Sequence, residues 1–410
     1  MFFLIIIVSF LIFNFLIQLL SNYLNFNSIT HTIPDDFVDI LDDSKYIKSQ
    51  EYTKANIYFQ IISSTFSLAI TLLIILGGGF NILDQFIRSL SINSEIVLGL
   101  LFFLIFFLFN DFISLPLQYY KNFVIEQKFG FNKMTKQIFI TDKIKSYILM
   151  ILIGGPILAF IIYFFNSFPQ YGWFYVWILL ATFSIILQPL FIIFIAPLFN
   201  KFTPLEDGEL RNKIEVYLHS VKFPVANLDV MDGSKRSAHS NAYFSGFGTK
   251  KRIALFDTLL NNHSDEEIIS IIAHEVAHYK KRHIIKNMIF SILYSGVVLF
   301  ILSYFLNYEA LFDAFKMEQT SVYASLLFFS ILYSPIDFIL SIILNKISRI
   351  HEFEADRFSI DTYKDKDNLI NALKKLSISN LGNLTPHPFT VVLNYTHPPI
   401  IHRLRAIKSA

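Results

Sequence analysis

The chain has 410 residues, 54% of them hydrophobic and only 16% charged, with a formal net charge of +2 and a mean hydropathy of +0.50. Soluble domains carry about a quarter of their residues as charges, so this composition argues against an ordinary soluble protein and for a multi-span membrane protein. The absence of cysteine excludes disulfides, thiolate nucleophiles and cysteine-ligated metals.

Crossing a bilayer takes about 20 apolar residues. Runs of that kind occur near Phe2–Leu20, Ile57–Phe80, Ile96–Leu117, Tyr147–Phe165, Trp173–Leu198, Ile289–Phe305 and Ala324–Leu344. The first lacks the basic n-region and small-residue cleavage site of a signal peptide, so it reads as a retained span. With seven spans, all but Arg88 and Lys316 of the 34 lysines and arginines fall on one side of the membrane. By the positive-inside rule that side is cytoplasmic and the N-terminus lies outside. The expected organisation is spans one to five with their loops (1–199), a cytoplasmic insertion (200–285), spans six and seven (286–345) and a cytoplasmic tail (346–410). Asn110, Asp111, Gln188 and Asp337 fall within spans. Polar groups there are costly and face a wet cavity or a partner on another helix.

In the insertion, Ser264-Asp-Glu-Glu267 reads as a capping box opening a helix through Ile268, Ile271 and Ile272. That helix carries His274-Glu-Val-Ala-His278. Histidines four apart share one helix face and can grip one Zn²⁺, while Glu275, about a hundred degrees around, can reach a water without ligating the metal. A histidine pair on a helix can also serve packing alone.

A catalytic zinc needs a third protein ligand and an open fourth position. The tail offers Glu352-Phe-Glu-Ala-Asp356, with Glu352 and Asp356 on one helical face and Glu354 pointing elsewhere. Glu352 is the candidate ligand; Asp356 can accept a hydrogen bond from the outer nitrogen of a ligand histidine and fix its tautomer. The bland reading is a solvated acidic face beside Arg349 and Arg357. Membrane geometry favours the metal. His278 precedes span six and Glu352 follows span seven, so straight helices would carry both out on the same side to similar depth, on the order of 10–15 Å beyond the spans.

The joint motif set resembles the type I CAAX prenyl endopeptidases, which are seven-span membrane zinc metalloproteases. It comprises HEVAH followed by EFEAD, after GSKRSAHSNAYFSGF and KRIALFDTLL and before THPPIIHRL. The segments Leu115–Phe139 and Ala196–Leu210 carry the likeness upstream. The resemblance implies a mainly α integral membrane fold in which seven helices enclose a water-filled chamber, with a zinc site at its cytoplasmic end. It implies one zinc per chain held by His274, His278 and Glu352, with Glu275 catalytic, Asn241 at a substrate-contacting position, and His397 and Arg403 near the active site. The activity implied is removal of the last three residues of proteins prenylated at a C-terminal CAAX cysteine. The family's eukaryotic C-terminal retention tail is not matched by the terminal Ile-Lys-Ser-Ala. The location is then the inner membrane of a bacterium or the endoplasmic reticulum of a eukaryote.

In this reading Glu275 is the general base and then the general acid, and His397 a second donor to the tetrahedral oxyanion. Alternatively His397 marks only a helix entry at Pro398-Pro399. Asn241–Phe256 reads as a hairpin turning at Gly248-Thr249-Lys250, whose edge strand can receive a peptide by strand addition or simply pack on the catalytic helix. Arg403 can pair with a substrate carboxylate or lie solvated in the tail. His31, His219, His263, His283 and His387 read as structural, and His239 is open. The expected partners are a peptide or protein, prenylated or not, and the bilayer; nucleic acid is not among them, and the chain is expected to be a monomer. Two other functions fit the same sequence less closely: a membrane quality-control zinc protease acting on unprenylated substrates, and a non-enzymatic seven-span receptor or transporter with an accidental HExxH.

Overall fold

A computed structural model describes residues 1–224, 227–247 and 250–410, with the side chains of 188, 192, 243–247, 250 and 251 left aside. The architecture is mainly helical. Among the described residues six helices are long and apolar enough to cross a membrane: α1 (Phe2–Asn27), α2 (Asp43–Leu76), α3 (Glu95–Phe129), α4 (Lys136–Ser167), α8 (His283–Phe305) and α9 (Val322–Tyr363). The helix between α4 and the insertion, α5 (Gly172–Leu190), contains Pro189 and passes into a π-helical turn, Phe191–Ile195. At 19 residues before that turn, its regular helix is shorter than the other six. Proline removes a backbone donor and crowds the preceding turn, so the ladder there must loosen.

Where helices approach closely the sequence supplies glycine. A Cβ at Gly99 in α3 would lie 2.5 Å from Ile162 of α4 and 2.9 Å from Tyr323 of α9. Polar groups in the spans find partners. Asp111 accepts from Lys143 at 2.6 Å, from Gln118 at 3.2 Å and from Tyr147, and Asp337 accepts from Tyr294. Asn110 donates to the carbonyl of Phe106 on its own helix. Gln188 has no described side chain.

Arg88 and Lys316, the two cations set apart by the charge count, lie at one end of the bundle. Arg88 pairs with Asp84 at 2.8 Å and donates to Tyr323, while Lys316 reaches the carbonyl of Leu76. At the other end the segment between α1 and α2 meets the tail. Phe37 and Tyr46 are buried against Ile370, Leu373, Leu404 and Ile407, and Asp39 accepts from Lys374 at 2.7 Å.

The insertion folds as a four-stranded mixed sheet in the order β1-β2-β4-β3, with β1 at Phe202–Pro204, β2 at Asn227–Met231, β3 at Ala242–Phe247 and β4 at Lys250–Phe256. β2 and β4 are parallel, whereas β3 and β4 form an antiparallel hairpin registered from Ala242↔Leu255 to Phe247↔Lys250. Gly248 and Thr249, at the expected turn, lie outside the described residues. Ile253 and Leu255 of β4 pack with Ile214 and Leu218 of α6 (Glu209–Ser220) and with Ile268, Ile272 and Val276 of α7 (Asp265–Lys280). The tail supplies α10 (Lys366–Ser379), α11 (Pro388–Asn394) and α12 (Ile400–Ser409).

Candidate metal centre

The helix carrying HEVAH begins at the capping box. The Ser264 hydroxyl accepts from the amide of Glu267 at 3.3 Å, and the Glu267 carboxylate accepts from the amide of Ser264 at 3.1 Å. Lys375 of α10 pairs with the same carboxylate at 2.7 Å. This fixes where the first turn starts, and hence which face carries His274 and His278.

The second element needs no turn at all. α9 is one continuous helix of 42 residues, so the span itself extends to Glu352 and Asp356. It lies along α7, where the Ser359 hydroxyl donates to the carbonyl of Ser270 at 3.0 Å. The two helices bring three side chains together. Nε2 of His274 stands 3.3 Å from a Glu352 oxygen, Nε2 of His278 stands 3.4 Å from the other, and the two imidazole nitrogens are 3.3 Å apart. Nitrogen and oxygen ligands about 2.0–2.1 Å from a tetrahedral metal are necessarily about 3.3–3.4 Å from one another. The three side chains thus stand close to the mutual spacing of ligands around one such metal, with a fourth position left for another group. His274, His278 and Glu352 are accordingly the residues that can hold a metal ion.

The surrounding polar groups fit a cation. Glu352 is buried, and its Oε2 accepts no well-formed hydrogen bond; a buried carboxylate is costly unless positive charge faces it, and here His274 and Arg403 stand 3.3 Å and 3.4 Å from that oxygen. Asp356 accepts from Nδ1 of His274 at 2.9 Å, which leaves the lone pair of Nε2 facing the cage. Arg403 holds Asp356 in a fork, donating at 2.8 Å and 2.6 Å, and its third nitrogen lies 3.4 Å from Glu352. Burial pulls the His274 imidazolium down, but Asp356 and Glu352 more than reverse this and raise it to about 9. The site thus attracts positive charge.

The other predicted positions are placed as follows. Glu275 is partly buried beside His274 on α7, and its charge is felt at Arg403. His397 brings Nε2 to 3.5 Å from Glu352, and its side chain is 65% exposed. Protein crowded around it still removes enough water to pull the imidazole below its ordinary value, against the pull of Glu352. Arg403 is buried within the cluster and engaged by its carboxylates rather than standing solvated. Asn241 lies exposed just before β3, its side chain accepting from the amide of Ala242 at 2.8 Å. β3 is one of the two edge strands of the sheet among the described residues. His239 stacks on Phe131 and meets the Asn380 side chain at 3.2 Å.

One histidine expected to be structural sits beside the cage. Nδ1 of His283 meets Nδ1 of His278 at 3.1 Å, and its Nε2 meets Glu354 at 2.9 Å. On a continuous helix a residue five on would be about 140° away. Arg282 breaks α7 from α8 with a left-handed backbone, φ 58°, so the expectation of a straight run from His278 into span six does not hold.

An HExxH helix and a membrane helix closing on one metal position describe a membrane-embedded metallopeptidase. Comparison with known proteins reaches the same class from the whole chain. Residues 204–410 match peptidase family M48, and residues 22–201 match the CAAX prenyl protease N-terminal region with five membrane helices. CAAX prenyl protease 1 of Saccharomyces cerevisiae is 34% identical, the alignment covering 98% of this chain and 94% of the relative. The Homo sapiens homologue of that protein is 33% identical over 94% and 90%. The crystal structure of S. mikatae Ste24p superposes with a TM-score of 0.92 at 36% identity, covering 99% of this chain and 98% of the other. The chain belongs to peptidase family M48.

Proposed function

We propose that this metallopeptidase is a zinc endopeptidase that removes the C-terminal tripeptide from proteins whose CAAX cysteine carries an isoprenoid. The observation that carries the zinc assignment is the convergence of His274, His278 and Glu352: the two Nε2 atoms stand 3.3 Å apart, and each lies 3.3–3.4 Å from one oxygen of the Glu352 carboxylate. Its nitrogen and carboxylate donors suit zinc, and the fourth position stays open for chemistry. The CAAX substrate is supported by the names of relatives aligned over nearly the whole chain. In the same reading the chain is a monomer. The helical stretch 172–199 completes a seventh span, the seven enclose a chamber, and the site faces the cytoplasm with the lysine-rich loops.

When bound, zinc supplies Lewis acidity toward the scissile carbonyl and toward water. Glu275 takes the proton of the attacking water and delivers it to the leaving amine. The Thr396 hydroxyl, 3.0 Å from Nδ1 of His397, donates to that nitrogen, which keeps the imidazole proton on Nε2. From there His397 donates to the developing oxyanion. Arg403 and Asp356 orient His274, and the β3 edge receives the peptide backbone near Asn241.

The test uses purified protein and matched CAAX-ended peptides, prenylated and unprenylated, with and without a zinc chelator. The expected result is cleavage of the prenylated peptide, abolished by chelation and lowered about 100- to 10,000-fold by Glu275→Gln. Equal cleavage of both peptides would refute prenyl specificity and favour the quality-control role. Activity at full rate in Glu275→Gln would remove the general base.

A further inference from the structure

His278 faces the cage through Nε2, and its Nδ1 points away from it. There it meets Nδ1 of His283 at 3.1 Å. His283 is 2% exposed, and its ring stacks on His351 with centroids 3.9 Å apart and planes 8° from parallel. Nε2 of His283 reaches Glu354 at 2.9 Å.

Proton placement along this chain has one consistent solution. For Nε2 of neutral His278 to offer its lone pair to a metal, the proton must sit on Nδ1. That N–H can donate only to an unprotonated Nδ1 of His283. The proton of His283 must then be on Nε2, where the Glu354 carboxylate accepts it. Each donor meets an acceptor from Glu354 inward, and the last free lone pair points into the cage.

We propose that His283 is a positioning residue for the metal ligand His278, with Glu354 as its anchor. The pair does for the second histidine what Asp356 does for the first, and the inference rests on the metal reading of the site. An outer hydrogen-bond acceptor fixes the tautomer and ring orientation of a ligand imidazole and raises its basicity. The backbone is spent on this arrangement. Arg282, at φ 58°, takes a left-handed conformation that disfavours a non-glycine residue. That turn is what swings His283 under His278.

The test measures zinc affinity of the full-length, metal-stripped protein by competition with a chromogenic chelator. His274→Ala serves as the reference for a lost site. His283→Ala should weaken zinc binding about 10- to 100-fold. His283→Asn, whose side-chain oxygen falls near the position of Nδ1, should recover most of that loss. Glu354→Ala changes a side chain that is 43% exposed; it should weaken binding by about threefold or more while leaving the unfolding temperature of the metal-free protein unchanged. Unaltered zinc affinity in both His283→Ala and Glu354→Ala would overturn the proposal, and if His283→Ala does not fold, Glu354→Ala decides alone. A parent protein that binds zinc no better than His274→Ala would refute the metal reading itself, and the relay with it.

Discussion

Asp356 joins two groups, the His274 imidazole and the Arg403 guanidinium, and its loss should be felt twice. It holds Nδ1 of His274 and both arms of Arg403. Asp356→Ala should weaken zinc binding about 10- to 100-fold. It also strips a buried guanidinium of its two-pronged partner, leaving only the longer contact to Glu352, a defect of up to about 3–5 kcal/mol that thermal unfolding of the metal-free protein will register. His274 adds a pH dependence. In the metal-free protein the carboxylates hold its proton up to about pH 9. Zinc must displace that proton, so apparent affinity should rise with pH and fall about tenfold per unit on the acid side while His274 remains the titrating group. Chelator competition between about pH 6 and 8 measures it; a flat profile would contradict the carboxylate–imidazole coupling. At this scale the spacing of HEVAH and EFEAD made the cage legible, because periodicity says which side chains share a helix face. It says nothing about which distant residue meets Asp356. Arg403 lies 47 positions away on another helix, and its fork was not readable.

Elements show the same division. The α7 start was legible from Ser264 and Glu267 because a capping box is local chemistry. The α7–α8 junction was not. Lysine, lysine and arginine at 280–282 are acceptable helix residues, and nothing in their propensities marks a left-handed backbone at Arg282. Its conformation makes a clear prediction. Arg282→Val should destabilise the protein by about 1–2 kcal/mol, since a β-branched residue is poorly tolerated at positive φ. Arg282→Gly should stay within about 1 kcal/mol of the parent. Equal melting temperatures for the two variants would show that the turn relaxes. The helix around Pro189 repeats the lesson: composition marks 173–198 as an apolar run, but proline shortens the regular helix within it.

Across the whole molecule, residues far apart in sequence close the extramembrane end. Phe37, 0% exposed, follows the first membrane helix and packs into a cluster supplied mostly by the tail. Asp36 beside it pairs with Lys408 and Arg405. The charge count had assigned both segments to one side of the membrane, and they meet. Phe37→Ala should cost about 3–5 kcal/mol and lower the unfolding temperature of the complete chain; a shift too small to measure would mean that the tail is held by α9 and α10 alone.

The central claim is that α7 and α9 close on a single zinc ion. Diffraction from crystals of the zinc-loaded protein, recorded on both sides of the zinc absorption edge, tests it most directly. The account predicts one anomalous peak per chain, about 2.0–2.1 Å from Nε2 of His274, Nε2 of His278 and a carboxylate oxygen of Glu352. A strong zinc peak elsewhere, with none within that triangle, would contradict it.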